Sequence, residues 1–284
     1  MSKTPASPRG PRSGLPAAGA VALAAVALVA AGARARPQTP PATDLARNAM
    51  HIVAIDPGHG GDDDGVHGVA GTKEKDVVLQ IAHRLKTAIE TRLQLRVVLT
   101  RDGDVNVPLD SRDALANTSR ADLFLSLHCN ASVRPALRGT EVVTLSPQDY
   151  QPPPGPGGKP QPAPPPTLVA PVGGGAPRSI SPVPWNLAQL AYADKSSAFG
   201  ATLVRRLTER ALPSNTPLRT DAPARVLVGA NMPAVLIELG FLTNADEETA
   251  LNGPEMPDAL VGAIVDAIGD VRFGFPAGGT AHRP

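Results

Sequence analysis

The stretch Ile52-Val53-Ala54-Ile55-Asp56-Pro57-Gly58-His59-Gly60-Gly61 runs from an apolar, β-branched segment straight into a turn that holds a histidine among glycines. An apolar run of this length that ends in Pro-Gly reads as a buried strand delivering a loop. Glycine lets such a loop turn sharply and lets backbone approach a ligand closely. The chain beyond this loop keeps alternating between helix and strand. Glu74–Leu93 carries Val78, Ile81, Ala82, Leu85, Ala88 and Ile89 at helical spacing. Arg96–Thr100 is a β-branched strand, Leu109–Ser119 a helix, Leu123–His128 a buried strand and Thr140–Leu145 another. Strands alternating with helices predict a single α/β domain, a mostly parallel twisted sheet with helices on both faces.

The pattern then breaks. Pro147 to Pro184 holds 14 prolines in 38 residues, too many for a segment to pair its backbone or build a core. Because the sheet before it is unfinished, residues 147–184 read as a disordered insertion within one domain rather than a linker between two. Beyond it, Asn186–Arg210 predicts a helix, Val226–Val228 and Ala234–Leu239 strands, and Met256–Val271 a closing helix. From Trp185 onward, Trp185, Leu187, Leu190 and Ala191 would form an apolar face, and the expectation is that this helix packs on the sheet.

The start of the chain has its own composition. Lys3, Arg9 and Arg12 precede an apolar run from Ala17 to Ala31, and Ala33-Arg34-Ala35 follows the small-x-small cleavage rule. Residues 1–35 read as a signal peptide cleaved near Ala35, 36–49 as a linker, 50–274 as the catalytic domain and 275–284 as a disordered tail. Removing residues 1–35 takes the formal charge from +1 to −3, so the basicity belongs to the export signal. The expected location is periplasmic or secreted, as a monomer without a membrane span. Near-neutral charge excludes a strongly basic nucleic-acid binder, and the single cysteine excludes a disulfide framework and a CxxC zinc site.

His59 follows one strand and His128 ends another, so in a parallel sheet both sit at the carboxyl edge, where open α/β sheets place ligands. Two imidazoles there could share a metal. Glu74, in the first turn of the Glu74–Leu93 helix, lies on the buried stripe with Val77 and Val78, whereas Asp76 faces solvent with Gln80 and His83. Two histidines and one glutamate form a catalytic zinc pattern, because they leave a fourth position for water. Glu238 is the lone charge in Ala234-Val235-Leu236-Ile237-Glu238-Leu239-Gly240-Phe241. A carboxylate in a buried strand is costly without a partner or a task, and its raised pKa would suit a general base.

These residues carry a resemblance. Ile52–Gly61, Glu74-Lys75-Asp76-Val77-Val78-Leu79, Val98-Leu99-Thr100-Arg101, Ser126-Leu127-His128-Cys129-Asn130-Ala131 and Pro233–Asn244 are similar to the zinc-dependent N-acetylmuramoyl-L-alanine amidases that include the bacterial cell-separation amidases. The resemblance implies a single α/β domain, His59, Glu74 and His128 as zinc (Zn2+) ligands and Glu238 as the catalytic glutamate. It implies peptidoglycan as substrate, cleaved between N-acetylmuramic acid and L-alanine in cell-wall remodelling or daughter-cell separation, and it leaves a place for a protein activator. Two rivals keep the same fold or site: a non-catalytic peptidoglycan-binding relative, and a zinc peptidase acting within the stem peptide.

The other candidates read as secondary. His51, His67, His83 and His282 are surface residues, and Asp62-Asp63-Asp64 is a solvated loop without EF-hand spacing. Cys129 is a small buried residue. Asp56 and Asn130 are placed as partners orienting the histidines, and Arg101 and Arg112 as contacts to acidic substrate groups or helix-to-loop ion pairs.

Overall fold

The computed structural model describes residues 49–145, 168–170, 178–180 and 185–275. The signal peptide, nearly all of the linker, most of the Pro-rich insertion and the tail from residue 276 lie outside the described residues. A six-stranded sheet is built from β1 (Ile52–Pro57), β2 (Arg96–Leu99), β3 (Leu123–Asn130), β4 (Glu141–Leu145), β7 (Arg219–Ala222) and β8 (Ala234–Phe241). Its strand order is β2-β1-β3-β8-β4-β7. β2, β1, β3 and β8 run parallel, while β4 is antiparallel to β8 and β7 follows β4. The expected mostly parallel sheet is thus present. Within the insertion, β5 (Leu168–Ala170) and β6 (Arg178–Ile180) pair antiparallel.

Period-two alternation assigns each strand residue to a face. Val53 and Ile55 of β1 enter a large core formed with α1 (Glu74–Arg92), α3 (Ala193–Glu209), α4 (Ala245–Asn252) and α5 (Glu255–Val271). Ala54 points the other way, into a smaller core with Phe124, Ala234 and the residues of α2 (Leu109–Thr118) and a 3-10 turn at Arg225–Leu227. Both faces are therefore covered, which is why β1, β3 and β8 read as near-continuous apolar runs. Phe124 is fully buried in the smaller core, and truncating such a side chain to Ala costs about 3–5 kcal/mol. α1 forms because its apolar residues recur on one face and its first turn carries Glu74 and Asp76, favoured by the helix dipole.

Several expected elements differ. Val226–Val228, expected as a strand, is the 3-10 turn at Arg225–Leu227; the strand there is β7, whose Arg-Thr-Asp-Ala sequence has no apolar alternation. A three-residue apolar run is too short for its period to decide its state. The helix expected over Asn186–Arg210 starts as a 3-10 segment, Trp185–Tyr192, and becomes α-helical only at Ala193. Nor does Leu190 form a packed apolar face there, since it is exposed. The buried residue is Gln189, which donates to the Ala230 and Met232 carbonyls at 3.0 and 2.8 Å and accepts from the Ser196 hydroxyl at 2.6 Å. α4 has no counterpart among the expected elements. Its start is fixed by Asn244, whose side chain accepts the Asp246 and Glu247 N–H groups at 3.1 and 3.0 Å. Among the described residues no helix is long and apolar enough to cross a membrane.

Candidate active site

Strand β1 ends at Pro57, and the next residues turn hard. His59, Gly60 and Gly61 all have positive φ, at 60°, 121° and 62°. The left-handed region is costly for a residue with a Cβ, so His59 must be held there by its surroundings. Arg101 and Arg112, both buried, do the holding. Arg101 donates to the carbonyls of Pro57 and Gly58 at 2.9 and 2.8 Å, and to that of Lys75 at 2.8 Å. Arg112 donates to the carbonyls of Pro57 and His59 at 2.7 and 2.8 Å and pairs with the Asp56 carboxylate at 2.8 Å. Arg101 is turned wholly to backbone, so for it the expectation of a substrate contact is corrected, while Arg112 makes an ion pair, the other reading, and also lines the cleft beside the histidines. Asp56 is corrected too: it accepts from Thr100, Ser126 and Arg112, not from a histidine.

The last turn before α1 is equally constrained. Glu248 of α4 accepts the N–H groups of Ala70 and Thr72 at 2.7 and 3.1 Å. Buried Lys75 donates to the Gly61 carbonyl at 2.7 Å and pairs with Asp64 and Asp104 at 2.8 and 3.0 Å, drawing two loops together. Glu74 then emerges inward, 1 % exposed, as its place on the apolar stripe implied. Asp76 lies exposed on the other flank.

His59, Glu74 and His128 converge. One donor atom from each lies within 4.8 Å of the others, the one such metal-capable group among the described residues. Glu74 Oε1 lies 3.1 Å from His59 Nε2 and 2.9 Å from His128 Nδ1, and also accepts the Cys129 N–H at 2.9 Å. Its other oxygen accepts the Val66 N–H at 2.8 Å. Burial alone would push the Glu74 carboxyl up; the His128 and His59 imidazoles more than reverse this and hold it well below the usual carboxylate range. Glu74 in turn raises His59. The two rings meet edge to face with centroids 4.9 Å apart. The cleft beside them, ≈ 400 Å³, is walled by Asn106, Val107, Pro108 and Leu109.

Asp63 accepts from His59 Nδ1 at 2.8 Å. That contact fixes the ring so that Nε2 faces Glu74, an orienting role that a run of three loop aspartates gave no means of assigning. Asn130 bonds to Glu141 at 3.3 Å rather than to a histidine, so its expected orienting role is corrected as well. Glu238 pairs in register with His128 across β8 and β3, next to a register shift between His128 and Asn130. Its Oε2 is buried without a hydrogen-bond partner among the described residues. Burial pushes its carboxyl up to about 7, and the nearby Glu74 and Glu141 charges add to the rise. His67 lies 3.2 Å from Asp64 and His83 3.5 Å from Asp102, both well exposed; His51 is exposed, and His282 lies outside the described residues. Cys129 is buried, which raises its thiol well above the ordinary value and leaves it unreactive.

A convergent His-Glu-His set beside an unpartnered buried carboxylate can hold a divalent metal and move a proton next to it. A family model described as N-acetylmuramoyl-L-alanine amidase matches residues 53–270. The chain is 31% identical over 260 residues to N-acetylmuramoyl-L-alanine amidase AmiC of Escherichia coli O6:H1, covering 87% of this chain and 59% of that protein. To AmiA of Escherichia coli K12 it is 28% identical over 234 residues, covering 76% and 74%. The chain therefore spans about three fifths of the length of the AmiC relative. Among solved structures it is similar to an N-acetylmuramoyl-L-alanine amidase from Clostridium difficile 630, with TM-score 0.55 and 27% identity over 78% of this chain and 96% of that one. AmiC2 of Nostoc punctiforme gives TM-score 0.54 and 26% identity over the same shares.

Proposed function

Because the chain belongs to the N-acetylmuramoyl-L-alanine amidase family, we propose that it hydrolyses the amide between the lactyl group of N-acetylmuramic acid and the L-alanine of a peptidoglycan stem peptide. The observation that carries this reading is the convergence of His59, Glu74 and His128 beside Glu238. The donor set suits zinc: two imidazoles and one carboxylate, already facing a common point. When bound there, the ion supplies a Lewis acid for the scissile carbonyl and acidifies the attacking water.

The protein's own groups supply the rest. Asp63 holds one nitrogen of His59 and leaves the other facing Glu74. Glu238 takes the proton of the water as its oxygen adds to the carbonyl carbon, and returns it to the amine nitrogen as the C–N bond breaks. A carboxyl raised to about 7 can both accept and release that proton near neutrality. That Oε2 of Glu238 is buried without a hydrogen-bond partner among the described residues supports this role.

The setting is also a proposal: residues 1–35 as an export signal, 36–49 as a linker, 50–274 as the catalytic domain, and a periplasmic or secreted monomer working in cell-wall remodelling or daughter-cell separation. Digestion of purified murein with the zinc-loaded protein, followed by mass spectrometry, tests the reaction. Intact stem peptides are expected. Shortened stems would make it a peptidase, and no products a binding protein.

A further inference from the structure

Phe124, Phe199 and Phe241 are buried in the core. The other three aromatic side chains described, Tyr192, Phe273 and Phe275, all line one cavity of ≈ 780 Å³. In a chain with 3% aromatic residues this is a concentration of rings, and Phe273 is 52% exposed. The cavity walls include Met50 just before β1, Asp122 just before β3 and Asn231 shortly before β8. All three sit at the amino ends of parallel strands. His59 and His128 belong to the opposite edge, so this cavity takes no part in the hydrolytic site.

Its charge is selective. Arg120 and Lys195 contribute two cations, and among the described residues neither pairs with a carboxylate. Asp122 also lines the cavity; its Oδ2 accepts the His51 and Ile52 N–H groups at 2.7 and 2.9 Å, and its single negative charge leaves the two cations in excess. The Lys195 ammonium lies 6.0 Å from the Phe275 ring centroid, so ring and charge serve one volume. The Arg272 guanidinium covers one face of the Phe273 ring, 4.3 Å from its centroid; an aromatic ring's second face packs on the C–H face of a pyranose, and a side-chain amide such as Asn231 suits an N-acetyl group. Unpaired cations select a carboxylate, and a concave site with a few convergent polar groups is the usual form of a ligand site.

We infer that this cavity is a second, non-catalytic site for an acidic N-acetylated pyranose, the muramic acid of a glycan strand whose lactyl carboxylate is free. The inference rests on the proposed amidase reading, because that hydrolysis turns a neutral lactyl amide into a lactyl carboxylate. Each cleavage adds one negative charge to the glycan, and the cavity holds the protein on strands it has already processed.

The test is calorimetric titration of the full chain with peptide-free glycan oligomers, with the same oligomers amidated at the lactyl group, and with chitin oligomers of equal length. The free-carboxylate oligomer should bind at least about tenfold more tightly than either control. Phe273→Ala, and Arg120→Glu combined with Lys195→Glu, should each weaken it about tenfold while leaving hydrolysis of a soluble muropeptide and the melting temperature unchanged. Equal binding of all three oligomers, or undiminished binding by both variants, overturns the inference. So does binding lost in Glu74→Ala but kept in the cavity variants. The titrations use Glu238→Gln as the parent background so that the amidated oligomer is not turned over, and a wild-type protein that fails to release stem peptides overturns the amidase reading separately.

Discussion

Glu238 stands beside His128 in parallel register and directly across from Glu141 in antiparallel register, so three neighbouring strands set an imidazole and two carboxylates in one row. Like charges directly opposite one another in a sheet are destabilising. Glu141 is accommodated by accepting from Asn130 and Thr220. Glu238 has a buried oxygen with no such partner, which points to chemistry rather than stability as the reason for its presence. Glu238→Gln should retain bound zinc while kcat falls by roughly 10²–10⁴. Loss of zinc in that variant would make Glu238 a ligand.

The acid limb of kcat/KM should report the same group. As a base, Glu238 must be deprotonated, so activity falls as pH drops through its pKa, about 7 without a bound cation. Zinc nearby favours the charged carboxylate, which moves the limb of the loaded enzyme below that value. An acid limb above pH 7 would contradict the assignment.

His59→Ala, Glu74→Ala and His128→Ala should each strip bound zinc and abolish hydrolysis. His83→Ala should leave metal stoichiometry intact, because His83 lies on the exposed flank of α1. Atomic absorption on the purified variants decides it, and parental zinc content in His59→Ala would sink the ligand set.

The glycine before His59 makes a sharper probe. A Cβ on Gly58 would overlap the His128 ring, so Gly58→Ala should displace that ring and lower zinc affinity while the sheet stays folded. Chelator competition measures the affinity and circular dichroism the fold; unaltered zinc affinity would show that the ring has room to yield.

Arg112→Ala leaves the Asp56 carboxylate buried without its cation and the His59 and Val107 carbonyls without that donor. Breaking a buried pair from one side costs about 3–5 kcal/mol. Arg112→Lys keeps the charge but not the fork, and should lie between the parent and Arg112→Ala in urea unfolding.

Burial raises the Asp113 carboxyl to about 8. An unfolded chain loses that proton near pH 4, at about its unperturbed value. Between those values the folded state binds more protons than the unfolded state, so this residue lowers stability as pH rises and changes nothing further above about 8. Asp113→Asn keeps an acceptor for the Gly229 N–H, bonded at 3.0 Å. Its melting temperature relative to the parent should rise from pH 4 to pH 8; a flat difference would refute the buried neutral acid.

The sequence is most readable where one physical demand acts alone. The turn carrying His59, the strand ending at His128, the inward place of Glu74 and the lone charge at Glu238 each follow from local period and polarity. Residues whose role depends on distant partners are not readable in this way. Asp63 looks like its solvated neighbours until the fold brings it to His59 Nδ1. Arg101 and Arg112 carry no mark that they bond to carbonyls some fifty residues away in sequence. β7 is a strand because β4 offers it an edge, not because Arg-Thr-Asp-Ala alternates.

The antiparallel course of β4 has a consequence for how this lineage can vary. Glu141 lies level with Glu238, so the chain leaves β4 after Leu145 near the level of Ala234, at the far edge of the sheet. It is tied down again at Gln189, on the Ala230 and Met232 carbonyls of that same edge. The two anchors of the intervening stretch are therefore neighbours, away from His59, Glu74 and His128. Loop-closure entropy grows only with the logarithm of length, about 0.6 kcal/mol for each doubling. Residues can accumulate or be lost between those anchors at little thermodynamic consequence, which makes this edge a natural port for length polymorphism and for grafting a foreign peptide.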